Sequence, residues 1–80
     1  MTAPRVFEIT PRQREVLDVL MDAGASEQQI GKRLGISEHT VGSHMRRIYR
    51  AAEVNSRDEL IVGLFRRRLM FRVVNKRSLT

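Results

Sequence analysis

The sequence predicts an all-α fold, a four-helix bundle with a central helix–turn–helix. Three observations carry that expectation. Capping residues mark four helix starts, apolar residues recur at helical spacing after them, and glycines stand where two helices would stop. Thr10-Pro11-Arg12-Gln13 offers a capping hydroxyl, proline at the first helical position and glutamine three residues after the cap. Ser26-Glu27-Gln28-Gln29 repeats the cap-to-glutamine spacing, and Ser56-Arg57-Asp58-Glu59 repeats it with glutamate. Ser37 caps a fourth start without such a partner, because Thr40 lies three residues on.

Helix 1 is expected over about Pro11–Ala23, with Val16, Leu17, Leu20 and Met21 as one apolar stripe and Gly24 as its stop. Helix 2 is expected over about Glu27–Leu34, with Ile30 and Leu34 inward. Gly35 ends it, since a left-handed terminal position tolerates glycine best. Helix 3 follows Ser37 and runs to about Ala52, with Val41, His44, Ile48 and Ala52 inward. Helix 4 follows Ser56 and runs to about Leu69, with Leu60, Ile61 and Leu64 inward. Val62, Phe65 and Leu69 form a second stripe on that helix, which suits either a dimer interface or packing on helix 1 or the chain ends. Arg5–Thr10 and Met70–Val74 are short, β-prone and alternating, and suit either a small ribbon or two arms. The division that results is an N-terminal arm at 1–9, the helical domain at 10–69 and a basic tail at 70–80.

Eighty residues make one domain, and a chain of this size buries only about 60% of the surface its unfolded form exposes. That leaves room for a core but hardly for a deep catalytic cleft. With no cysteine, disulfides and thiolate metal sites are excluded. No apolar run approaches the ~20 residues of a membrane span, and MTAPRVFEIT lacks the apolar stretch of a secretory signal. A cytoplasmic location at the bacterial nucleoid is the expectation, with no membrane partner. The net charge is +6, and residues 1–65 hold nine basic and nine acidic side chains that cancel. Residues 66–80 hold six basic residues and no acid, so the excess sits in the tail. Such a tail suits a polyanion, nucleic acid above all, or is simply a solvated end.

The stretch from Ser26 to Arg50 carries the functional signal. Gly31 lies on the side of helix 2 that helix 3 must cross closely, Gly35 sits at the turn, and Ile30, Leu34, Ile36 and Val41 supply a buried seam. A generic helical hairpin would not require a small residue at 31, glycine at 35 and a capping serine at 37 together. In a helix–turn–helix the second helix lies in the major groove of DNA while the first crosses the backbone.

Thr10-Pro11-Arg12-Gln13-Arg14-Glu15-Val16-Leu17 resembles the T-P-R-E-x-E-V-L opening of LuxR-type (LuxR/FixJ/GerE) DNA-binding domains. The run from Ile30 to His44 is similar to that family's I-A-x-x-L-x-I-S-x-x-T-V-x-x-H, and Ile48 with Val54-Asn55-Ser56-Arg57 resembles its closing segment. The resemblance covers about residues 9–65. It implies a four-helix effector domain of bacterial transcription, usually the C-terminal part of a larger regulator and usually dimeric through helix 4. The chain resembles the stand-alone members. Three departures stand out: Gly42 where lysine is common, Ala51-Ala52-Glu53 where Lys-Leu-Gly is common, and Glu27-Gln28 where Asn-Lys is favoured. At least three cationic contacts are thereby missing. Weaker DNA binding is expected unless Arg46, Arg47 and the tail compensate.

Arg46 is the first candidate for reading a base, since arginine pairs bidentately with guanine, and Arg47 is the second, for base or phosphate. The plain alternative pairs them with Glu38, Glu53 or Asp58. Ser43 faces the groove, and His39 lies in the first turn, where base contacts concentrate, or is solvated. Ser37, Thr40, Gln28 and Arg50 are backbone candidates, Thr40 alternatively bonding its own helix. His44 is expected to be mainly structural, with a phosphate bond from its ring nitrogen. It lies five residues from His39 on another side of the helix, which argues against shared zinc. No cofactor is expected. Enzymatic readings find little support, because Glu15, Asp18 and Asp22 form an ordinary solvated face. The expected function is a sequence-specific, dimeric regulator bound to double-stranded DNA. The alternatives are a protein–protein module that blocks a related regulator or RNA polymerase, and a non-specific nucleoid binder.

Overall fold

The computed structural model describes residues 3–75. Four helices and two short strands follow one another: β1 Arg5–Ile9, α1 Pro11–Ala23, α2 Glu27–Leu34, α3 Glu38–Ala52, α4 Arg57–Phe65 and β2 Leu69–Val73. Each helix begins where its cap predicts. Thr10 and Ser26 close complete capping boxes with Gln13 and Gln29. Ser56 Oγ accepts from the Glu59 N–H, but the Glu59 carboxylate reaches one residue further back and accepts from the Asn55 N–H at 2.8 Å.

The helices end by one device used repeatedly. Gly24 and Gly35 are left-handed, as their positions in the sequence suggest. Glu53 and Arg67 are left-handed too, at φ 57° and 58°, although neither is glycine. At α4 the Arg68 N–H donates to the Gly63 carbonyl and the Arg67 N–H to the Leu64 carbonyl, which is the Schellman pattern. This stops α4 at Phe65, short of the expected Leu69. The stripe Val62, Phe65, Leu69 is broken accordingly. Val62 and Phe65 are exposed on α4, whereas Leu69 opens β2 and is only 4% exposed. Leu69 therefore belongs to the core and not to an interface.

The ribbon, not the pair of arms, is what the ends of the domain form. β1 and β2 run parallel in the register Arg5↔Leu69 to Ile9↔Val73. A parallel pair needs a long crossover, and here the whole helical unit provides it. Phe7, Ile9 and Leu69 turn inward from the ribbon and join Val16, Leu17, Leu20, Ile30, Val41, Met45, Ile48, Ala52 and Leu60. Phe7 and Phe71 meet with ring centroids 6.3 Å apart, and Arg72 pairs with Glu8 across the strands. The expected inward set needs two changes. On α3 Met45, not His44, joins Val41, Ile48 and Ala52 as fully buried, and Met21 is 39% exposed at the end of α1. Residues 76–80 of the basic tail lie outside the described residues.

Gly31 fixes how α3 meets α2. A Cβ there would lie 2.6 Å from the Ile36 carbonyl oxygen, so the turn passes directly over residue 31. Among the described residues no helix is long and apolar enough to cross a membrane.

Candidate nucleic-acid interface

Helix α3 is presented by its own cap. Ser37 Oγ accepts from the Thr40 N–H at 3.0 Å and lies 2.8 Å from Thr40 Oγ1. Both hydroxyls, expected at the DNA backbone, are thus engaged in starting the helix. Val41, Met45, Ile48 and Ala52 anchor the inner side. The helical period then fixes what faces out. His39, Arg46, Arg47 and Arg50 are exposed, with Ser43 and Thr40 half-buried among them. Gln28 is exposed at the start of α2.

Among the described residues, the ion pairs are Arg5–Glu53, Arg12–Glu15, Arg14–Asp18, Arg33–Asp22 and Arg72–Glu8. None involves Arg46, Arg47 or Arg50, so the pairing considered for Arg46 and Arg47 with Glu38, Glu53 or Asp58 is absent. Arg46 Nη2 instead donates to Ser43 Oγ at 3.3 Å. Arg47 and Arg50 line a polar cleft with Glu8, Thr10 and Gln13, which carries the basic side of α3 toward the start of α1.

His44 is half-buried beside this side. Its Nδ1 is out of solvent and has no hydrogen-bond partner. Burial lowers the imidazole's pKa, and the Arg12 and Arg47 guanidinium groups lower it further. A buried nitrogen without an acceptor is better left unprotonated, so the proton of the neutral ring belongs on Nε2. The residue is therefore a neutral donor rather than a cation for phosphate.

One residue escaped the sequence reasoning. A Cβ on Gly42 would lie 3.3 Å from Glu27 Oε1 and 3.6 Å from Arg46 Nη1. The first residue of α2 thus reaches the recognition side of α3. No local signal reports this, because it depends on how the two helices cross. Tyr49, one face further along, has its hydroxyl pKa raised by burial first and by the Glu27 carboxylate next. No group of three His, Cys, Asp or Glu side chains among the described residues is placed to hold a metal.

A capped helix crossing a shorter one at a glycine notch, with arginines and hydroxyls along its outer side, defines a helix–turn–helix protein of the DNA-binding class. Comparison with known families narrows the class. Residues 8–64 match the family described as "Bacterial regulatory proteins, luxR family", and the chain belongs to it. Over 56 residues, 70% of this chain, it is 43% identical to the "Putative HTH-type transcriptional regulator YhjB" of Escherichia coli (strain K12). The chain spans 28% of that relative's length. No solved structure matches significantly. Membership makes this a DNA-binding domain of transcription regulation.

Proposed function

We propose that the chain is a sequence-specific, dimeric regulator that places α3 in the major groove of a two-fold symmetric site. The observation that carries this reading is the outer side of α3, where Arg46, Arg47 and Arg50 are exposed and outside the ion pairs of the described residues. Arg46 reads a guanine, with Arg47, Ser43 and His39 contributing base contacts. Gln28, Arg50 and the His44 Nε2–H serve the phosphates, and Ser37 and Thr40 act through the cap that aims the helix. The name of the relative from E. coli, a transcriptional regulator, supports the same role. Its site of action is then the bacterial nucleoid.

Dimerisation is read from α4. Phe65 is 81% exposed and Val62 46%, an apolar pair on the outer side of a short helix whose inner side packs on α3 and β2. Selection of the purified chain against a random-sequence DNA pool tests the reading. Enrichment of a two-fold symmetric motif is the expected result. Uniform binding would favour a non-specific nucleoid binder, and no binding a protein–protein module.

A further inference from the structure

Gly42 leaves a notch in the recognition side of α3, and two opposite charges fill it. The Glu27 carboxylate and the Arg46 guanidinium both lie within contact distance of the point a Cβ would occupy, at 3.3 and 3.6 Å. Arg46 is turned back along its helix over residues 42 and 43, and its Nη2 donates to Ser43 Oγ. Glu27 is held from the other side. It is the first residue of α2, directly after the Ser26 cap, whose backbone N–H donates to Gln29 Oε1 at 2.9 Å. A carboxylate in a first turn is favoured by the helix dipole, so the acid is well placed where it stands.

We propose that Glu27 is a specificity-determining residue of the DNA site: its carboxylate, lodged in the Gly42 notch on the side of α3 where Ser43 aligns Arg46, keeps phosphates away from that guanidinium. The proposal rests on the reading of Arg46 as a base-reading residue. Specificity is a difference between two affinities, and weakening the wrong complex raises it as surely as strengthening the right one. Sequence-independent affinity comes from phosphates drawn to cations. An acid beside Arg46 lowers that attraction. A guanine edge presents its two acceptors in the plane of an arginine already aligned, so the specific complex loses less.

The test compares the wild-type chain with Glu27→Gln and Glu27→Asp, each binding its selected site and random-sequence DNA across a salt series. Glu27→Gln is expected to raise affinity for random DNA most at low salt, and to steepen the log–log salt dependence by up to about one phosphate contact. Affinity for the selected site should rise less, and the lost discrimination should concentrate at one base position. Glu27→Asp keeps the charge but withdraws it from the notch. Its random-DNA affinity should therefore rise to a value between those of the wild type and Glu27→Gln, with the lost discrimination at that same position. Glu27 is half-buried on the surface, and thermal melts check that each variant is folded. Equal shifts on both DNAs, or no shift on either, would overturn the proposal while the wild-type motif stands. A wild-type chain that selects no motif would overturn the DNA reading itself, and this proposal with it.

Discussion

Gly63→Ala tests the join between α4 and β2. On an open helix, alanine is favoured over glycine by about 1 kcal/mol. Here the new Cβ would lie 2.5 Å from Leu69 Cδ1 and 2.8 Å from Leu69 Cγ. Leu69 is only 4% exposed, and its backbone is held opposite Arg5 in the ribbon, so its side chain must repack to make room. Overfilling a packed site costs about 1–3 kcal/mol. Taking about 2 against the helical gain of about 1 leaves a net loss of about 1 kcal/mol. For a domain of this size that lowers Tm by about 4–8 °C. Leu69→Ala alone should cost about 2–5 kcal/mol. Once Leu69 is truncated the obstruction is gone, and Gly63→Ala should then stabilise by about 1 kcal/mol. The sign reversal is the decisive feature, and thermal and urea unfolding of the four proteins measure it. A Gly63→Ala change that raises Tm equally in both backgrounds would refute the packing and restore an α4 that runs on with Leu69 outward.

Other expected outcomes follow from single residues. Glu53 is left-handed at the end of α3, a conformation that costs a non-glycine residue about 1–2 kcal/mol, and its pair with Arg5 is largely exposed and contributes at most about 1. Glu53→Gly should therefore raise stability by about 0.5–1 kcal/mol in urea titrations. His44 has a folded pKa below the ordinary histidine value of 6.5, so the unfolded chain binds the extra proton first. Its contribution is fully present above pH 6.5 and is lost as pH falls from there through the lowered folded value. Tm should decline over that window, and His44→Gln should flatten the decline. Phe65→Asp should leave Tm nearly unchanged, since the side chain is 81% exposed, while sedimentation equilibrium shows a monomer in place of a dimer.

What the sequence makes legible here is local. A cap and its partner three residues on are written side by side, so Thr10, Ser26, Ser37 and Ser56 locate four helix starts. The period of α3 sorts Val41, Ile48 and Ala52 from Arg46, Arg47 and Arg50 in the same way. The end of α3 falls at Ala52 as expected, although Glu53 after it is left-handed without being glycine; the end of α4 is harder, because Arg67 takes a conformation that its residue type does not advertise. Leu69 fits two periods at once: it extends the helical stripe of Val62 and Phe65, and it also begins the alternation of Leu69, Phe71 and Val73. The Schellman turn at Arg67 decides between them. The pairing of Glu8 with Arg72 joins residues 64 apart, and short-range patterns carry no information on it. The meeting of Glu27 with Gly42 depends in the same way on a helix crossing.

The most direct measurement of the central claim is the base preference of Arg46→Ala on the motif selected by the wild-type chain. If α3 lies in the major groove with Arg46 on a guanine, discrimination should fall by about 1–3 kcal/mol at one base position in each half-site, with the other positions unchanged. A uniform loss across all positions, or an unaltered motif, would contradict the account.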